Sequence, residues 1–212
     1  MNEINRILVL APHTDDAEFG CGGSMDRFVK EGKEVYCISF ASATPVNPDI
    51  LWTTDLLKTE TKEATKRLSI PEKNVTIYDF KIRELGYQRQ EILEEMIRIK
   101  RDINPDMIFI PSTHDIHQDH ITISQEGLRA FKGKTLFGYE VPWNNITFQS
   151  SAFIILSEEN IKQKIYALGA YESQKGRHFI EEHFVRGIAT MRGAQLGYDY
   201  AESFEVIRWV LQ

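Results

Sequence analysis

The sequence is short of cysteine: only Cys21 and Cys37 occur in 212 residues. With neither CxxC spacing nor the count of a disulfide framework, they give little support to a thiolate zinc site or a structural disulfide, so any bound metal would need histidine and carboxylate ligands. No apolar run approaches the roughly 20 residues that cross a bilayer. The opening MNEINRILVLAPH lacks the basic lead-in and long apolar core of a signal peptide, so a cytoplasmic protein without a membrane span is expected. Long blocks of like charge are also missing, and the net charge is −6, which argues against a phosphate-backbone binder and hence against nucleic acid as partner. There is no internal repeat, low-complexity segment or linker rich in Pro, Gly or Ser. At this length, with 42% hydrophobic residues, one domain over 1–212 is expected.

What is present is alternation. Apolar, β-branched runs near 6–11, 34–41, 74–80, 107–112 and 135–141 read as strands. Segments near 22–31, 54–68, 88–103 and 121–132 carry helical spacing between them. A further strand is expected at Ala152 to Leu156, followed by a helix capped by Ser157 and reaching Tyr171. A second helix is expected from His178 to Met191, and a last strand in SFEVIRWV. Repeated β-α-β predicts an α/β fold with a mostly parallel sheet, helices on both faces, and ligand-binding loops at the C-terminal strand ends. The irregular stretch Ala43 to Thr53, with two prolines, reads as a mobile loop beside that edge.

Chemistry gathers at the same edge. APHTDDAEFGCGG (11–23) follows the first strand and brings His13, Asp15 and Asp16; HDIHQDH (114–120) follows the strand MIFIPS. Imidazole and carboxylate suit zinc or a similar divalent ion, and a catalytic site needs three protein ligands and an open position. His13, Asp16 and one histidine of 114–120 make such a set. Adjacent aspartates point in different directions, so one is a ligand and the other a free carboxylate able to take a proton from a polarised water. Each cluster alone has a plainer reading: Asp15 and Asp16 as turn or cap residues, and the histidines as a solvated loop with Asp119 capping a helix that starts near Ile121. Two such clusters at one sheet edge favour the metal.

These residues resemble the PIG-L/LmbE-like family of metal-dependent N-deacetylases. The resemblance lies in His13-Thr14-Asp15-Asp16-Ala17-Glu18 with GCGG following, and in His117-Gln118-Asp119-His120. Softer landmarks are YEVPW (139–143), YESQ (171–174) and RGAQLGYDYAESF (192–204). The resemblance implies a Rossmann-like three-layer α/β/α fold and a zinc ion, Zn2+ or another divalent transition metal, bound by His13, Asp16 and His120. It further implies Asp15 as general base and His117 at the substrate carbonyl or oxyanion, where charge build-up in the transition state leads to the expectation of a protonated imidazole. The activity implied is removal of an N-acyl group, foremost N-acetyl, from an amino sugar in a glycoconjugate or sugar-linked metabolite. His114 falls outside the motif as a loop residue, and a homo-oligomer is compatible. Thr14 replaces the usual proline, Lys58 stands before Glu60 where many members carry arginine, and Leu68-Ser69 replaces Leu-Gly.

Two rival readings compete with this one. A Rossmann-like nucleotide-binding module would use GCGG as a phosphate loop, but Asp15, Asp16 and Glu18 would face the pyrophosphate, and the strand EVYCISFA ends in no acidic residue to hold a ribose. Tight passage from strand to helix explains these glycines better. A metallo-β-lactamase-like hydrolase matches part of 115–120 but lacks the first histidine of its signature and needs antiparallel strands. Trp143 and Tyr139 suggest a sugar-sized pocket wall, although such aromatics are more often core. Arg89, Arg192 and Glu202 read as solvated or ion-paired, His178 and His183 as poor joint ligands, and Cys21 as packed.

Overall fold

The computed structural model describes residues 4–43 and 53–211. The strands are β1 (Arg6–His13), β2 (Glu34–Ala43), β3 (Val75–Lys81), β4 (Met107–Pro111), β5 (Thr135–Tyr139), β6 (Ala152–Leu156) and β7 (Tyr200–Arg208). The helices are α1 (Asp16–Lys30), α2 (Thr54–Arg67), α3 (Arg89–Ile103), α4 (Gln118–Ala130), α5 (Glu158–Leu168) and α6 (Glu182–Ala194). The strands form one sheet in the order β3-β2-β1-β4-β5-β7-β6. β1 to β5 pair in parallel, while β7 runs antiparallel to both neighbours.

The layering follows from the period-2 alternation of β1 and β4. Ile7, Val9, Met107 and Phe109 point to one side, where Ala17, Cys21 and Met25 of α1 pack on them. Leu8, Leu10, Ile108 and Ile110 point to the other, against Ile92 and Met96 of α3 and Ile123 of α4. Strands buried on both faces need uninterrupted apolar runs, which is why ILVLA and MIFI carry no polar residue. After β1 the chain turns toward β2 and β3, then returns to place β4 on the opposite flank of β1. The crevice at the C-terminal ends of β1 and β4 is therefore the topological switch point, where open α/β sheets bind ligands.

The α/β class and mostly parallel sheet agree with the sequence expectation, and Ser157 caps α5 through a capping box with Asn160. Several boundaries differ. α1 starts at Asp16, not near residue 22, so the glycines lie within the helix and not in the turn before it. A Cβ at Gly20 would stand 2.4 Å from the Tyr139 ring, and one at Gly23 2.5 Å from Leu156, so these glycines let α1 press on the sheet. α4 starts at Gln118 with His117 as its N-cap, not near Ile121 under Asp119. The helix expected from His178 is a single 3-10 turn at His178–Ile180 followed by α6, and the last strand begins at Tyr200, ahead of SFEVIRWV. The loop expected at Ala43 to Thr53 lies almost wholly outside the described residues. Cys21 and Cys37 are free and buried, and among the described residues no helix is long and apolar enough to cross a membrane.

Candidate active site

β1 ends at His13 and α1 begins at Asp16, so two residues make the whole turn. Asp15 is the N-cap by position, yet its side chain makes no capping hydrogen bond. Asp16, the first residue of α1, folds back and accepts the His13 backbone N–H at Oδ2 (2.8 Å). A carboxylate there also faces the positive end of the helix dipole. In the second segment, Asp115 accepts the His117 backbone N–H (2.8 Å), and His117 Nδ1 accepts that of Asp119 (3.2 Å). That short turn aims His120 back toward β1.

Three donor atoms converge. His13 Nδ1 lies 3.1 Å from Asp16 Oδ2, His120 Nε2 lies 3.3 Å from the same oxygen, and the two imidazole nitrogens are 3.3 Å apart. Four ligands around zinc at roughly 2.0–2.1 Å are about 3.3–3.4 Å from one another, so the triangle matches one face of such a tetrahedron. The outward nitrogens are fixed as well: His13 Nε2 meets Asp119 Oδ2 (2.8 Å) and His120 Nδ1 meets Asp115 Oδ2 (2.7 Å). Both aspartates are buried. A carboxylate behind each imidazole sets ring orientation and raises basicity, as at metal-ligating histidines generally. The donor set thus fits a divalent ion. The nitrogens of His13, His117 and His120 also lie within 4.8 Å of one another and could hold a metal. We favour the set with Asp16, because it is tighter and because Nδ1 of His117 is already engaged.

The electrostatics follow the same contacts. Burial opposes a charged His13, but Asp119 and Asp16 outweigh it and raise its pKa to about 10. Burial likewise opposes His120, and Asp16 and Asp115 raise it to about 9. Burial alone would push Asp16 up, yet His120 and His13 hold it well below the usual carboxylate range. Asp15 is raised to about 6 by burial and then by Asp16, which outweigh the opposing charge of His13. His117 is lowered to about 4 by burial and by the neighbouring imidazoles. The expected protonated His117 is therefore corrected: its Nδ1 accepts a backbone N–H, so the ring is neutral with its proton on Nε2.

A cavity of about 200 Å³ opens over this cluster, lined by His13, Asp15, Asp16, His117 and His120, with Arg83, Trp143, Gln174, Arg177 and Phe179 among the other walls. Trp143 stacks on Phe179 (centroids 4.0 Å apart), which bears out the pocket-wall reading for Trp143. Tyr139 is instead core, its hydroxyl donating to Leu10 O. Arg89 pairs with Glu126, Arg192 with Glu140, and Glu202 with Lys164. Lys58 turns to Asp79, while Glu60 accepts from the backbone and hydroxyl of Ser173. His114, His178 and His183 do not line the cavity. Sequence reasoning gave Asp115 no role, read Asp119 only as a cap, and passed over Arg83, Gln174, Arg177 and Phe179. The acid–histidine density of 114–120 was the one signal for the aspartates.

An α/β sheet with imidazoles and carboxylates gathered at its switch point defines a candidate hydrolytic metal centre. The chain belongs to the PIG-L family: the family model described as GlcNAc-PI de-N-acetylase matches residues 8–131. It is 27% identical over 179 residues to the uncharacterized deacetylase YaiS of Escherichia coli K12, covering 81% of this chain and 93% of that one. It is 24% identical over 227 residues to the diacetylchitobiose deacetylase of Thermococcus kodakarensis, covering 97% and 84%. The solved N,N'-diacetylchitobiose deacetylase of Pyrococcus horikoshii superposes with a TM-score of 0.81 at 19% identity, covering 97% of this chain and 84% of that one.

Proposed function

We propose that the protein is a zinc-dependent N-deacetylase acting on an N-acetyl amino sugar within a glycoconjugate or sugar-linked metabolite. The carrying observation is the 3.1–3.3 Å triangle of His13 Nδ1, Asp16 Oδ2 and His120 Nε2, with a buried carboxylate behind each imidazole. Relatives named as diacetylchitobiose deacetylases support the sugar substrate. His13, Asp16 and His120 would hold the ion, which supplies a Lewis acid that lowers the pKa of a water toward roughly 7.

Asp15 is the residue left to move the proton. Its carboxyl group lines the cavity, is not spent on a helix cap, and is tuned close to neutrality, as a general base should be. Asp15 takes a proton from the attacking water as the oxygen–carbon bond forms at the acetyl carbonyl. It returns that proton to the amine nitrogen as the carbon–nitrogen bond breaks, leaving acetate and the free amino sugar. His117 Nε2–H donates to the carbonyl oxygen, where negative charge builds only in the transition state.

The test is Asp15→Asn, assayed for acetate release across N-acetylglucosamine conjugates alongside metal analysis. The variant is expected to keep its metal and lose about 10²–10⁴-fold in turnover. Near wild-type turnover with metal bound would remove Asp15 from this role.

A further inference from the structure

The proposed reaction makes no use of one cation on the cavity wall. Arg83 lies in the turn between β3 and α3 and lines the same cavity as Asp15, Asp16 and His117. Its φ is +71°, in the left-handed region that a side chain with a Cβ rarely adopts. Asp119 holds it there: Oδ2, the oxygen that meets His13 Nε2, also accepts the Arg83 backbone N–H at 2.6 Å. A strained, exposed residue is thus tied by its backbone to the carboxylate that orients His13. Among the described residues its guanidinium has no hydrogen bond or ion pair, whereas Arg89 and Arg192 are each closed onto a glutamate. Of the two cavity carboxylates, Asp16 is already faced by His13 and His120, and among the described residues no ion pair joins Arg83 to Asp15. Arg177 lines the same wall, over the Phe179 ring, and adds positive potential in a chain whose net charge is −6.

We propose that Arg83 reads an oxyanion, a carboxylate or phosphate, carried by the portion of the substrate attached to the amino sugar. The inference rests on the deacetylase reading and narrows its substrate class from amino-sugar conjugates at large to acidic ones. Assigning the acetamide to Asp15 and His117 and the sugar to Trp143 and Phe179 leaves Arg83 as the lining residue for the attached group. A guanidinium fork grips the two oxygens of such a group side by side, which a lysine cannot do.

The experiment compares kcat/KM on N-acetylglucosamine 1-phosphate, its carboxymethyl glycoside and its neutral methyl glycoside. Calorimetric binding of glucosamine 1-phosphate and methyl glucosaminide, which needs no turnover, runs in parallel. Wild type is expected to favour at least one anionic conjugate by about 10-fold or more, the scale of a charged hydrogen bond. Whether phosphate or carboxylate wins identifies the group. Arg83→Gln should bring the anionic-to-neutral ratio close to one, Arg83→Lys should fall between, and added salt should shrink the wild-type ratio. A wild type indifferent to charge overturns the inference. So does an Arg83→Gln protein, with wild-type metal content and melting temperature, that keeps the ratio or loses equally on both substrates. If no acetamido sugar is turned over while the binding preference and its loss in Arg83→Gln persist, the deacetylase reading fails and the anion site stands.

Discussion

Asp119→Asn gives the most discriminating test of how the site is held. The wild-type carboxylate is fully buried and takes three donors: His13 Nε2 (2.8 Å) and Arg83 N (2.6 Å) on Oδ2, and Leu85 N (3.2 Å) on Oδ1. An asparagine that keeps its oxygen at the Oδ2 position serves the first two donors but turns an NH2 toward the Leu85 N–H. One buried donor then goes unpaired, at a cost of about 1–3 kcal/mol in stability. The negative charge behind His13 also disappears, so the imidazole becomes a weaker ligand. Loss of such a partner typically lowers metal affinity 10–100-fold, or about 1.4–2.7 kcal/mol. Zinc affinity measured by competition with a chromophoric chelator, with urea unfolding of the metal-free protein as control, separates the two effects. Asp115→Asn, behind His120 Nδ1, should behave alike. If folded Asp119→Asn binds zinc within twofold of wild type, the carboxylate–histidine pair does not support the metal and the argument from outer contacts is wrong.

His117→Ala should retain its metal and lose on the order of 10²–10³ in kcat with little change in KM, as for one lost oxyanion donor; loss of metal in its place would put His117 among the ligands. His120→Ala should bind zinc so weakly that the rise in melting temperature on adding zinc to the metal-free wild type disappears, and full occupancy by metal analysis would refute the ligand set. Lys164→Met removes the cation of a buried pair with Glu202. It should cost toward the lower end of about 3–5 kcal/mol by urea unfolding, because Gly23 N, Ser24 N and Ser24 Oγ still donate to the carboxylate. A loss under 1 kcal/mol would show that those three suffice.

The elements with an unambiguous period were legible. ILVLA and MIFI can only be strands buried on both faces, and the alternation with helices leads to a parallel sheet. Pairing β1 with β4 was not readable, since it depends on where the chain reverses across the sheet, and nothing local in either strand encodes its neighbour. The reversed direction of β7 escaped for the same reason. Asp16 opens α1, but Asp-Asp with three glycines following by residue 23 reads as a turn. The glycines are helical because Tyr139 and Leu156 press where their side chains would stand. Candidate donors were visible from residue type, whereas Asp115 and Asp119 acquire their roles only through contacts with His120 and His13. Arg83 carries no sequence signal at all: its backbone is set by a carboxylate 36 residues further along.

His13 and His120 meet across 107 residues of chain, one at the end of β1 and the other in the first turn of α4, beyond the end of β4. An ion shared between them therefore behaves as a clip closing a loop of that length, and it can close only after β1 and β4 have found each other. Clips over long loops remove the most freedom from the unfolded chain. The metal would thus act on folding as well as chemistry, resisting the parting of the two central strands while the outer strands β3 and β6 remain free to fray.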